Sequence, residues 1–187
     1  MLDATQRQQY LIDQLAGCAN GEHHALERLY HASCSHLYAQ LLRIVRDEGA
    51  AQDCLQQVFI RVWHVADQYD ATRAKPMTWL SRLARNIGID WLRRQKPQDA
   101  TKDESLLDVL LSTDDPEDDS INTQQHGKLK DCLDTLSSQQ RQLMEMAYFQ
   151  GLTHNELAHT LAQPLGSVKS WIRRGLERLK ACLTSGT

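Results

Sequence analysis

Between residues 98 and 125 the chain carries nine acidic residues and a single basic one, Lys102. Asp114, Asp115, Glu117, Asp118 and Asp119 bracket Pro116 with no opposite charge nearby. Such a run cannot enter a shared core, because buried carboxylates need partners. Its composition predicts a poorly ordered tether, so the chain should fold as two small units. The flanking parts differ sharply: residues 1–97 hold 12 basic and 10 acidic side chains, and residues 126–187 hold 8 and 5. The net charge of −3 therefore hides two mildly basic ends, and a nucleic-acid partner is not excluded. One island in the tether, Leu106-Leu107-Asp108-Val109-Leu110-Leu111, is too apolar for a free linker. It reads either as a short helix docked on the chain's own domains or as a partner-binding segment.

Both flanking parts read as helical. Only nine glycines and four prolines occur in 187 residues, and alternating β-branched runs are absent, so the fold class is all-α. A first helix is expected from about residue 5 to 16, with Leu11, Ile12 and Leu15 inward. Asn20-Gly21 breaks it. A second, about 22–46, has the stripe Leu26, Leu29, Tyr30, Leu37, Leu41, Leu42 and Val45. A third, about 50–67, turns Cys54, Leu55, Val58, Phe59, Val62 and Val65 inward. A loop over 68–75 follows.

Residues 77–96 form the fourth helix. Pro76 suits its first turn, where a missing N–H costs nothing, and Arg93, Arg94 and Lys96 complement its C-terminal dipole. At 100° per residue, Leu80, Leu83, Ala84, Ile87 and Trp91 fall on one side. Arg82, Arg85, Asn86 and Arg93 fall on the other, with Ile89 among them, and Trp79 lies between. The polar side is either a solvated charged face or a nucleic-acid surface, with arginines for phosphate and an amide and aromatic rings for bases.

The C-terminal part repeats a helix–turn–helix grammar. A helix over about 128–136 precedes one that Ser137 or Ser138 can cap and that carries Leu143, Met144, Ala147 and Tyr148. Gly151 stops it. Thr153 and Glu156 form a capping box for a helix ending near Leu161. Residues 162–166 are the turn, and Ser167 is expected to cap the last helix, VKSWIRRGLERLKACL. There Val168, Ile172, Leu176 and Leu179 face inward, and Lys169, Ser170, Arg173, Arg174 and Glu177 remain outside. Two short helices across a tight turn are the DNA-binding motif, whose second helix fits a major groove; basic helical hairpins also occur as plain structure.

The patterns of other function classes are missing. His154 and His159 are five apart, about 140° round a helix, not the i, i+4 pair a zinc hydrolase needs, and Glu156 serves better as a cap. His23-His24 lack spaced carboxylates or thiols. There is no glycine-rich phosphate loop and no Gly-x-Ser-x-Gly elbow. No enzyme activity, cofactor or metal is expected. Cys18, Cys34, Cys54, Cys132 and Cys182 are widely spaced and odd in number, which favours free thiols in a reducing cytosol. Leu15-Ala16-Gly17-Cys18 has the form of a lipoprotein box, but the polar segment before it provides no apolar signal core. No run approaches the ~20 apolar residues of a membrane helix. A cytoplasmic protein, not membrane-embedded, is expected.

Two stretches together resemble a known family. Leu29-Tyr30, Asp53 through Trp63 (DCLQQVFIRVW), Thr78-Trp79-Leu80, Ala84-Arg85-Asn86 and Asp90-Trp91-Leu92-Arg93-Arg94 resemble the region-two domain of an extracytoplasmic-function sigma factor. Leu133 through Leu136, Gln140-Arg141, Tyr148-Phe149, Gly151-Leu152-Thr153, Glu156-Leu157-Ala158 and Pro164 through Ser170 resemble its region-four domain. The resemblance implies a region-two domain over 1–97, a linker over 98–125 and a region-four domain over 126–187. It implies an alternative sigma factor that binds core RNA polymerase and promoter DNA, with an anti-sigma factor as a further partner. On the polymerase face it points to Asp53, Gln56, Gln57, Phe59, Arg61 and Trp63, although Gln52 and Gln57 stand where the family usually has acids. At the minus-ten element it points to Trp79, Arg82, Arg85, Asn86 and Arg93, with the loop over 67–77 placed to capture a flipped base; Trp79 reads equally as a melting aromatic or a core residue. At the minus-thirty-five element it points to Ser167, Lys169, Ser170, Trp171, Arg173 and Arg174, with Trp171 replacing a common arginine. The acidic tether would suit a positively charged channel used by nucleic acid. The other reading is a two-domain helix-turn-helix regulator that binds duplex DNA without polymerase.

Overall fold

The computed structural model describes residues 3–95 and 131–185. They fall in two compact units, helical throughout, with no strand among the described residues. The acidic run and the Leu106–Leu111 island lie outside them.

The first unit is a four-helix assembly. Helix α1 (Ala4–Ala19) starts at a capping box in which the Gln6 amide N–H donates to Asp3 Oδ1 (2.7 Å) and the Asp3 N–H to Gln6 Oε1 (3.0 Å). Helix α2 (His23–Val45) runs back along it. The two pass so closely at Gly17 that an added Cβ would stand 2.5 Å from the Ala25 Cβ. Arg46 takes a left-handed conformation (φ 56°) and ends α2. Asp47 accepts from the Ala50 N–H (2.7 Å) and starts α3 (Glu48–Val65). A 3-10 turn (Ala66–Gln68) and a loop lead into α4 (Pro76–Gln95). Leu15, Leu29, Leu37, Leu41, Val58, Val62 and Leu80 are essentially sealed from solvent. All six residues expected inward on α3 are buried.

Two expectations for this unit fail. Tyr30, expected inward, is 40% exposed, its ring lying against Phe59 at 4.9 Å. Helix α4 buries only Leu80 and Ala84 of its apolar stripe. It buries Pro76, Met77, Leu80, Ser81, Ala84, Arg85, Gly88 and Ile89, while Leu83, Ile87 and Trp91 are only half-buried. At 100° per residue the buried arc is turned roughly 70° from the apolar stripe.

In the second unit, residues 131–134 are helical and lead to α5 (Ser138–Phe149), α6 (His154–Thr160) and α7 (Leu165–Thr184). Ser137, not Ser138, caps α5, in a capping box with Gln140. The Thr153–Glu156 box forms as expected: the Thr153 N–H donates to Glu156 Oε2 (2.6 Å) and the Glu156 N–H to Thr153 Oγ1 (3.2 Å). Gly151 (φ 64°) reverses the chain before α6, and Ala162 (φ 51°) turns it toward α7. That helix is N-capped by Pro164 and begins at Leu165, rather than being capped by Ser167; a proline's lack of an N–H is harmless at a helix start. Leu143, Leu157, Val168, Ile172 and Leu179 form the core with Cys132, Leu136, Met144 and Ala147. Cys132 is bonded to Cys182, with Cα atoms 5.7 Å apart. This corrects the expectation of free thiols throughout: close packing of the two helix ends, invisible in the spacing, brings the pair together. Cys18, Cys34 and Cys54 are free.

Candidate nucleic-acid and partner interfaces

The exposed residues of α3 share one stripe. Asp53, Gln56, Gln57, Ile60, Arg61 and His64 are all exposed, at the three-four spacing that puts them on a single helix face. Phe59, singled out with them, is instead in the core at 6% exposure, because its position falls with Leu55 and Val62. Trp63 is half-buried at the edge of the stripe and stacks on His23, with ring centroids 4.8 Å apart and planes at 14°. Ile60 was missed in the sequence, yet it is 46% exposed and three to four residues from Gln56 and Gln57. With Tyr30 it gives an otherwise polar surface an apolar part.

The loop before α4 is held by its own side chains. Asp70 Oδ1 accepts from the Thr72 hydroxyl (2.6 Å) and the Thr72 N–H (2.8 Å). These hydrogen bonds, the hydroxyl's foremost, hold the Asp70 carboxyl below its ordinary range, since each favours the ionised form. The Tyr69 hydroxyl donates to the Ala74 carbonyl (3.0 Å), and burial, then the Asp70 charge, pushes its pKa up. The Tyr69 ring meets Trp79 edge-on at 5.5 Å. Trp79 is therefore half-buried against the loop, neither a core tryptophan nor a free one.

On α4 itself, Asn86 is exposed and lies almost diametrically opposite the buried arc; Arg82 and Arg93 are half-buried beside it. Arg85, expected on this face, is buried at 5% exposure. The rotation of α4 off its apolar stripe carries Arg85 inward with Ile89.

In the second unit, α6, the turn and α7 have the helix–turn–helix order. Lys169, Arg173 and Arg174 are exposed on α7, and Ser167 and Ser170 are half-buried. Arg173 pairs with Glu177 at 3.7 Å across one helical turn, both well exposed. Trp171 is partly buried against the core, so it supports the helix as well as bordering its outer face. Arg141 bridges Asp134 (2.8 Å) and Glu145 (3.3 Å). Arg178 donates to the Thr135 carbonyl (3.0 Å), tying α7 to the segment that precedes α5. Among the described residues, no helix is long and apolar enough to cross a membrane.

Comparison with known proteins gives concordant matches. Residues 29–98 match the family model described as Sigma-70 region 2, and residues 126–179 that described as Sigma-70, region 4. The ECF RNA polymerase sigma factor SigK of Mycobacterium ulcerans (strain Agy99) is 34% identical over 168 residues, covering 88% of this chain and 89% of the relative. SigK of Mycobacterium sp. (strain KMS) is 33% identical over 163 residues, covering 85% and 83%. The solved structure of Rhodobacter sphaeroides SigE in complex with the anti-sigma ChrR aligns over 91% of this chain and 98% of that one, at 25% identity and a TM-score of 0.47.

Proposed function

Because the chain belongs to the extracytoplasmic-function group of the sigma-70 family, and so is an alternative RNA polymerase sigma factor, a non-catalytic initiation factor, we propose a division of labour among its surfaces. The outer stripe of α3, with Asp53, Gln56, Gln57, Arg61 and the edge of Trp63, docks on core polymerase, and Ile60 and Tyr30 add apolar area to the contact. The face of α4 around Asn86, Trp79, Arg82 and Arg93 engages the opened minus-ten strand. An exposed base can stack on an aromatic ring, a contact worth roughly 1–3 kcal/mol per base, while an amide reads its edge. The loop pinned by Asp70 and Tyr69 presents a fixed wall beside that face. Helix α7 enters the duplex at the minus-thirty-five element, where Lys169 and Ser170, near its N-terminus, reach bases and Arg173 and Arg174 reach phosphate. We place the protein in the cytoplasm with its polymerase, where an anti-sigma factor would regulate it by covering one of these surfaces.

The observation that carries this reading is the pairing, in one chain, of an exposed stripe on α3 with an exposed amide-bearing face on α4 and a basic helix–turn–helix. A regulator acting on duplex DNA alone leaves the α3 stripe without a role. The test is retention of the purified chain on immobilised core polymerase, alongside its affinity for promoter duplex. Retention with weak free-DNA binding is expected. Tight, specific duplex binding with no retention would overturn the reading.

A further inference from the structure

The turned setting of α4 has a local cause on α2. Gln40 is buried, and its Nε2 donates to the main-chain carbonyl of Ser81 at 3.2 Å, joining residues 41 apart in sequence. Ser81 is itself buried, its hydroxyl without a hydrogen-bond partner among the described residues. Two turns further along α4, Gly88 fits under the same stretch of α2: a Cβ there would stand 3.1 Å from Ile44 Cγ2 and 3.2 Å from Leu41 Cδ2. Ser81 and Gly88, at i and i+7, thus mark the strip of α4 that meets α2, and Arg85 between them is buried as well. The strip is polar at one end and bare at the other.

An apolar helix left to its own pattern buries its apolar side. For α4 that side is Leu80, Leu83, Ala84, Ile87 and Trp91, roughly 70° away from the arc it buries. Turned onto that side, α4 would bring Arg85 and Ile89 outward, and move Asn86 and Trp79 away from the centre of the exposed face. The observed rotation is therefore what puts Asn86 at the centre of that face. A hydrogen bond to a fixed carbonyl is directional, whereas apolar contacts are not, so the Gln40 bond is a feature able to favour one rotation.

We propose that Gln40 is a positioning residue for promoter opening: it touches no DNA, and with the bare edge at Gly88 it fixes the rotation of α4 that presents Asn86 and Trp79. The inference rests on the reading of α4 as the minus-ten helix. It is tested with the full chain bound to core polymerase, by the rate at which thymines near the start site become reactive to permanganate. Gln40→Met keeps the volume and removes the donor. It should slow opening about fivefold, the factor a single hydrogen bond commands, while affinity for core polymerase stays within about twofold of the parent. Gly88→Ala, which pushes on the same contact from the other helix, should act in the same direction. On an Asn86→Ala background, Gln40→Met should slow opening less than it does in the parent, because part of its effect acts through Asn86.

Opening by Gln40→Met and Gly88→Ala at the parent rate, additive slowing in the double variant, or slowing matched by an equal loss of core binding would each overturn the inference. The reading beneath it fails differently: Asn86→Ala would then open the promoter as fast as the parent.

Discussion

Breaking the Cys132–Cys182 bond should destabilise one unit of this protein and leave the other untouched. The two cysteines lie 50 residues apart in sequence, with Cα atoms 5.7 Å apart. They join the segment before α5 to the last turns of α7, and so enclose nearly all of the second unit. Loop-closure entropy for a ring of that size corresponds to about 4 kcal/mol. A small domain has a total stability near the low end of about 5–15 kcal/mol, so little would remain. Cys132 is sealed at 1% exposure among Leu136, Leu143 and their neighbours, and Cys182 is only partly buried, so a reductant reaches the bond from the Cys182 side. The perturbation is reduction of the full chain, or Cys132→Ala with Cys182→Ala. The assay is amide hydrogen exchange resolved by segment. Protection in α5 and α7 should fall by about a thousandfold, the factor equivalent to that free energy, and the melting transition of this unit should drop by about 15–30 °C. Amides of α2 and α3 should exchange as before. Equal loss in both units, or unchanged protection in α7, would refute the reasoning.

Asn86→Ala and Lys169→Ala should fail at different steps: the first should impair strand opening seen by permanganate, while the second should weaken duplex binding and reduce its salt slope by about one. Matching changes in both assays would contradict the assignment. Thr153→Ala removes a largely buried cap (7% exposed) and should cost about 1 kcal/mol in the second unit, read by denaturant titration with an unchanged slope. Asp70 should titrate below its ordinary value, so whatever stability its ionised form lends the loop is present above the unfolded-state pKa and lost as pH falls through the lower folded one. Thr72→Val, lacking the hydroxyl that contributes most, should move the Asp70 titration upward in carboxyl NMR.

What could be read from the chain depended on how local its cause was. The Thr153–Glu156 box is set by residues three apart and formed as expected; of the two serines offered as a cap for α5, Ser137 takes the role, completed by Gln140. The inward face of α3 was legible because its apolar stripe and its buried arc coincide, as were the exposed Asp53, Gln56, Gln57 and Arg61 on its other side. On α4 stripe and arc diverge. There the packing partner decided: Gln40 and the close approach at Gly88 pull a polar strip inward, so Arg85 is buried. The exposed Tyr30 and the core position of Phe59 have a similar origin, since two aromatic rings share one edge of the bundle and one of them must lie outside. The cysteine pair depended on a contact across 50 residues, which no spacing rule reaches. Ser167 looked like a cap by residue type, but Pro164 already caps the helix one turn earlier.

As a sigma factor, this chain should direct polymerase to promoters. The most direct measurement is transcription of fragmented genomic DNA by core polymerase with and without the chain, with every RNA 5′ end mapped. The chain should create a discrete set of new start sites sharing two short elements at fixed spacing, and Asn86→Ala and Lys169→Ala should each diminish that set. Start sites identical to those of core polymerase alone would contradict the account.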